Sequence, residues 1–321
     1  MRVFVLGKRG SIVHLAEDSV AGFRAAGHDV RLGITRDPRL NRSIDALLAS
    51  RRLGVPRAAL IVGAIARFAP ELIVTISPYL MPPSILERVA AMPGRAPLVG
   101  WVGDRFGAEV RAIAELHDAV AYSDTGLLAL HQSFGFRPRA AYLPYAANPR
   151  LDAAVPDPQE RRPELVFVAN PTALRREIVG QISAPISLYG EGWRPLGPMA
   201  HHIDARRVGV EELGRIYRSY LAVLNIRNEV NVLGGLNQRH FDPYVSATPV
   251  LSDDQPDIAQ CFEPAREMLI YRDTGELNEA YARLKREPTF AQTVGERGQR
   301  RVLAEHTYAH RLEALARLGG V

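Results

Sequence analysis

The residues best equipped for chemistry gather in the stretch NQRHFDPYVSATPVLSDD, residues 237–254. Asn237, Arg239 and Asp242 come directly after Gly234-Gly235, and the apolar run Pro249-Val250-Leu251 follows them. If a helix begins near Leu236, Arg239 and Asp242 share one face of it. Glycine N–H groups at the start of such a helix suit a phosphate, and a guanidinium suits a second one. A carboxylate beside them can chelate the paired hydroxyls of a ribose. The plainer alternative is an Arg–Asp pair on a helix surface, worth at most about half a kcal/mol. At the end of the stretch, Asp253-Asp254 with Asp257 behind them invite a divalent cation. The segment offers too few oxygen ligands for that, and with Pro256 opening a new helical segment the pair reads as a helix cap. No metal is expected.

Other polar groups fall at comparable places. VANPTALRRE, residues 168–177, carries Asn170, Arg175 and Arg176, and an arginine at a strand–helix junction can clamp a diphosphate. In YGEGW, residues 189–193, Gly190 and Gly192 let the backbone approach a flat ligand, while Tyr189 and Trp193 can stack on a base. Arg227 closes LAVLNIR. Nearer the start, GKRGS places Gly7, Gly10 and Ser11 between a first strand and a first helix, where backbone N–H groups favour an anion. The loop is not GxGxxG, and no acidic ribose ligand stands at the end of the second strand, so a tight turn competes with a dinucleotide site. His14 can serve as a base on an acceptor hydroxyl or simply pack. Asp104, at the carboxyl tip of VGD, can bind sugar hydroxyls, move a proton or cap the next helix.

These groups need a scaffold, and the apolar runs supply one. VFVLG, DVRLGI, ELIVTIS, PLVGWVGD, AVAYS and AAYLPY read as six strands of a first half, with helical spacing over residues 12–26, 84–92, 108–116 and 125–134. Residues 148–163, NPRLDAAVPDPQERRP, have the proline and charge content of a linker. Alternation then resumes with ELVFVAN, ISLYGEG, LAVLNIR, PVLSDD and EMLIYRD, separated by helices over 174–182, 210–218 and 238–246 and followed by a long helical end. Strands that are apolar throughout imply parallel sheets covered on both faces. The expectation is an α/β chain of two Rossmann-like, doubly wound domains, 1–155 and 156–305, facing a central cleft, with 306–321 packing back on the first. In such sheets ligands bind beyond the carboxyl ends of the strands.

Composition narrows the classes. Of 321 residues 47% are hydrophobic, enough for two real cores. One cysteine, Cys261, excludes a disulfide framework and fits a reducing, cytoplasmic setting. Met1-Arg2 runs straight into the first strand, so no leader is expected. The longest apolar run, residues 58–66, is too short to span a bilayer. The net charge of +5 rests almost wholly on arginine, with lysine only at 8 and 285. Peripheral contact with anionic lipid fits that charge. The arginines are scattered, with no aromatic-interleaved stripe, which argues against nucleic acid.

In order, FVAN, RRE, YGEGW, LNIR, GGLNQRHFD, SATPVLSDD, FEPAREMLIYRDTGEL and RGQRRVLAEHTYAHRLEAL resemble the C-terminal half of CgeB-type glycosyltransferases, a GT-B group related to glycosyltransferase family 4. GWVGD, AVAYSDTGLLALHQSFGF and AYLPYAANP resemble its N-terminal half more loosely. The resemblance implies a nucleoside-diphosphate sugar as donor, held by the second domain, and a glycan, protein or lipid hydroxyl as acceptor, held by the first. It implies no cofactor or metal, and a place in polysaccharide biosynthesis. It casts Asp242 as the ribose ligand, Asn237 and Arg239 as an "N.R.F" element, Arg175 or Arg176 at the diphosphate, residues 190–193 beside the base, and Asp104 as the strand-tip acid. Gly234 and Asp242 depart from the paired glutamates of many family 4 enzymes. A non-catalytic nucleotide-sugar-binding or scaffold protein, and a GT-B sugar-nucleotide epimerase, are the alternatives.

Overall fold

A computed structural model describes residues 1–8, 15–36, 54–196 and 200–321. They form two compact units, Met1–Pro144 with Tyr308–Val321, and Tyr145–Thr307. The first unit thus ends at Pro144 rather than at residue 155, and the proline-rich stretch 148–163 lies inside the second unit instead of between the two.

The first unit is a parallel sheet of β1 (Arg2–Lys8), β2 (Asp29–Arg36), β3 (Leu72–Ile76), β4 (Leu98–Val102), β5 (Ala119–Tyr122) and β6 (Arg139–Tyr142). Its strand order is β2-β1-β3-β4-β5-β6. Every residue of β3 and β4 is buried, because helices cover both faces and an unbroken apolar run is stable only there. One face packs on Gly54–Phe68 and Pro83–Ala90 through Phe4, Leu6, Ile73 and Leu98. The other meets Leu15–Ala25 and the last helix, Tyr308–Gly319. Tyr308 sets its ring edge-on to Phe23 and Trp101, and a side chain at Gly319 would lie 3.1 Å from Val99, so that helix is part of the first unit's core. At Gly7 an added Cβ would come within 2.3 Å of the Ala16 side chain, so this glycine admits the first helix close against β1.

The second unit repeats the plan with β7 (Arg162–Val168), β8 (Ile186–Tyr189), β9 (Ala200–Asp204), β10 (Tyr220–Asn225), β11 (Val250–Asp253) and β12 (Leu269–Tyr271), all parallel. The order is β12-β11-β10-β7-β8-β9. Helices Ala173–Gln181, Thr274–Arg286 and Pro288–Glu305 pack around a core holding Phe167, Leu188, Leu224, Leu251, Leu277 and Val294. Thr172 and Asp273 cap the first two of these helices, accepting from the N–H groups of Arg175 and Glu276.

Two expectations change. β9 has the sequence AHHID and lies at the sheet edge, so it lacks the apolar run by which the other strands are recognised. The helix expected over 238–246 is instead two short 3-10 segments, Gln238–His240 and Asp242–Ser246, separated at Phe241, with Pro243 in the first turn of the second, where its missing N–H costs nothing.

Candidate functional site

β7 and β10 lie side by side, and the chain winds from them to opposite edges of the second sheet. Their carboxyl ends, Val168 and Asn225, form the topological switch point where open parallel sheets bind ligands. Asn170, Arg175, Arg227, Asn237 and Arg239 are all brought here.

A buried hub organises them. Asn225 is fully buried, and its Oδ1 accepts from Asn237 Nδ2 and Arg239 Nε, both at 3.0 Å. Its Nδ2 donates to Ser252 Oγ at 3.2 Å and lies 3.0 Å from His240 Nε2. His240 Nε2 is 3.0 Å from Ser252 Oγ, and Nδ1 meets the backbone of Asn237. Burial pulls the imidazole down to about 3, so it is neutral and serves as one donor and one acceptor. The Asn237 side chain also accepts from the Arg239 N–H at 2.9 Å. Every member of this network therefore fixes where Arg239 points.

Arg239 packs 5.5 Å from the centre of the Phe167 ring and donates from Nη1 to Val168 O at 3.3 Å. Its Nη2 has no protein acceptor among the described residues. Burial lowers its pKa against the opposing pull of Asp253 and Asp242, and a guanidinium remains charged throughout. The result is a partly exposed cation with an unused donor edge at the mouth of the strands.

Arg175 is different. It is 5% exposed, and its donors go to the carbonyls of Ile226 at 3.2 Å, Arg227 at 3.2 Å and Asn170 at 2.8 Å. It ties the two strand exits together, and each of its three nitrogens donates to a carbonyl there. Arg176 donates to Gly192 O at 2.8 Å and lies over Trp193. Trp193 is itself core, 4% exposed, edge-on to Phe167 and bonded through Nε1 to Ala169 O at 2.6 Å. Tyr189 is 8% exposed, with its hydroxyl 3.0 Å from that of Tyr220. Neither aromatic offers a face to a base. Gly190 has φ of 139°, and a Cβ there would meet Ala169 O at 2.4 Å, so the close approach it permits is to the chain's own backbone.

Asp242 accepts the Asn148 N–H at 2.8 Å and is 4% exposed, so it anchors the start of the second unit. Gly234 and Gly235 precede no α-helix; Gly234 packs on Pro256 and accepts the Asp257 N–H at 3.1 Å. Asp253 and Asp254 do not cap a helix either. Asp254 pairs with Arg272, whereas Asp253 accepts from Gln255 Nε2 at 2.7 Å and from Arg227 N at 3.2 Å and Nη1 at 3.3 Å. Glu229, overlooked in the sequence, receives the Thr172 hydroxyl at 2.7 Å; burial raises its pKa, but that bond, backbone N–H groups and Arg175 together bring it below the ordinary value. Asp104 and Gly7 belong to the first unit. Asp104 stands two residues beyond β4, and Gly107 holds the N-cap position of the next helical turn. Gly10, Ser11 and His14 lie outside the described residues. Among the described residues no three His, Cys, Asp or Glu side chains gather as a metal site. No helix among them is long and apolar enough to cross a membrane.

Asp253 gives a pH signature. Burial pushes its carboxyl up to about 6, against the pull of Arg227, Gln255 and Arg239. From about 3.9, the unfolded value, to about 6 the folded chain binds the extra proton. Stability from this group is therefore complete below pH 4 and is lost as pH rises through 6. Asp253→Asn should flatten that part of the curve of Tm against pH; two curves that stay parallel would sink the assignment.

Residues 170–317 match the family described as glycosyl transferase-like. Similar solved structures include sucrose-phosphate synthase from Thermosynechococcus elongatus, at 15% identity, TM-score 0.68 and 98% coverage of both chains. Anabaena HepE in complex with UDP and glucose aligns at 11% identity and TM-score 0.69 over 100% of both chains. AviGT4, a glycosyltransferase involved in avilamycin A biosynthesis, aligns at 16% identity and TM-score 0.59, covering 99% of this chain and 98% of that one. No curated protein matches the sequence. The fold is GT-B, two parallel six-stranded sheets with flanking helices. The family match runs from just after β7 through the rest of the second unit and into the last helix.

Proposed function

We propose that the chain is a glycosyltransferase that moves a sugar from a nucleoside-diphosphate sugar to a hydroxyl acceptor without a metal ion. The observation that carries this reading is the unused donor edge of Arg239, fixed by the Asn225 hub at the carboxyl ends of β7 and β10. Transfer breaks the bond between the anomeric carbon and the diphosphate, and negative charge grows on the departing oxygen. A preorganised guanidinium in a partly desolvated site stabilises that charge more than it stabilises the ground state. Arg227, with 42% of its side chain exposed, adds a second cation whose backbone is held by Asp253. Asp104 and His14 are the groups assigned to the acceptor, as hydroxyl ligand and base. The donor class is supported by HepE, whose structures hold UDP and UDP-glucose.

UDP-, GDP- and dTDP-sugars presented singly, with free nucleotide and sugar nucleotide both quantified, test the reading. Saturable release of nucleoside diphosphate from one donor is the expected outcome. Binding without release would reduce the chain to a nucleotide-sugar-binding protein, and conversion to a second sugar nucleotide would make it an epimerase. Failure of all donors to bind would remove the donor site altogether.

A further inference from the structure

A cavity lies at the end of the second sheet opposite the switch point. Its walls come from the amino-terminal entries to β7, β10 and β11, with Arg161, Pro163, Leu221 and Pro249, and from the helix pair Thr274–Arg286 and Pro288–Glu305, with Leu284 and Ala291. The volume is about 320 Å³, close to the ~300 Å³ lower bound of small-ligand pockets. Most of the lining is aliphatic or proline, and Val155, 53% exposed, extends that apolar surface to the rim.

One wall carries a charge held, among the described residues, by neutral partners alone. Arg161 donates from Nη1 to Tyr220 O and, at 2.5 Å, to Thr248 Oγ1, and from Nη2 to the carbonyls of Ser246 and Ala247. All four acceptors are neutral. No carboxylate pairs with it among the described residues, and its burial by itself pulls the guanidinium pKa down to about 10. A partly buried cation without a counter-ion raises the energy of its site, and a bound anion relieves that cost. The second cation of the lining is Lys285, which is exposed and makes no bond among the described residues. The one acidic residue in the lining, Glu296, is engaged by Gln292 Nε2 at 2.8 Å. The lining thus joins a net positive end to an apolar body.

We propose that this cavity binds a small amphipathic carboxylate, an unbranched chain of roughly ten to twelve non-hydrogen atoms at ~30 Å³ each. The carboxylate lies toward Arg161 and Lys285, and the hydrocarbon lies against Pro163, Leu221, Pro249 and Leu284. The site is remote from the switch point and does not depend on the transferase reading.

Calorimetric titration of the full chain with decanoate, 1-decanol and decyltrimethylammonium, each below its micellar concentration, provides the test. Decanoate should bind saturably with a Kd at least about tenfold lower than either of the others. Lys285→Glu, an exposed change that cannot empty the core, should weaken decanoate at least threefold and leave the alcohol unchanged. Arg161→Gln should abolish the preference for the anion; if that variant fails to fold, the lysine reversal and the ligand series still decide. Equal affinity for the three headgroups, no saturable binding, or indifference of decanoate to Lys285→Glu would overturn the proposal. So would a dimer closing over the cavity that decanoate does not disperse, because a second copy would then be the occupant.

Discussion

Arg239→Ala is expected to weaken nucleoside diphosphate binding by about 1.5–3 kcal/mol, roughly 10- to 150-fold in Kd. The loss has two sources. The diphosphate loses a charge-assisted donor, and Asn225 Oδ1 and Val168 O each lose a partner inside the sheet exit. Arg239→Lys keeps the charge but cannot bond Asn225 and present a free nitrogen together, so an intermediate loss is expected. Titration of both variants with UDP, GDP and dTDP measures the effect, and a thermal melt confirms that the fold persists. Arg175→Lys is the contrast: its bonds all go to carbonyls, so it should lower Tm more than it lowers affinity. Wild-type affinity in Arg239→Ala would move the diphosphate away from the exits of β7 and β10.

Gly295→Ala and Gly298→Ala are each expected to destabilise the second unit by about 1–3 kcal/mol, the range for overpacking a well-filled core. Both glycines lie on the long helix Pro288–Glu305 where it crosses the 3-10 segment Asp242–Ser246. A Cβ at 295 would meet Ala247 O at 2.1 Å, and one at 298 would meet the Tyr244 ring at 2.1 Å. Neither obstacle can easily yield. Ala247 holds a left-handed backbone with φ of 50°, and Tyr244 is fully buried with its hydroxyl on Glu267 O. The sign is diagnostic, because alanine in a free helix would gain about 1 kcal/mol over glycine. Tm should fall by roughly 2–12 °C for a unit of this size. A rise in Tm would show that the helix does not press on the segment as closely as these distances indicate.

The strands were legible because their chemistry was extreme. LIVTI, LVGWV and LVFV are buried on both faces, and such runs have no other stable use in a chain of this composition. β9 was missed for the converse reason: an edge strand faces fewer partners and tolerates two histidines and an aspartate. In the site, position just after a strand singled out Asn170 and Arg227, which the fold brings to the switch point together with Arg239. What position could not convey was how much of each side chain the protein consumes. Arg175 and Arg239 look equivalent in sequence, yet every nitrogen of the first donates to a carbonyl, whereas Nη2 of the second keeps an edge open. Trp193 and Tyr189 resembled a stacking platform because aromatic type says nothing of direction; their polar atoms turn inward, to Ala169 O and Tyr220. The hub itself escaped notice, since Asn225, His240 and Ser252 are separated in the chain and joined only when β10 and β11 pair.

That hub has a consequence for how the chain would behave across physiological acidity. Amide, hydroxyl and an imidazole titrating only near 3 form a setting whose charge state is constant from mildly acidic to alkaline solution. Arg239 is consequently held on an electrically silent mount. Variation in donor affinity with pH over that range would record the phosphate's own proton and Asp253, while any pH dependence of turnover beyond it would be the signature of the acceptor side.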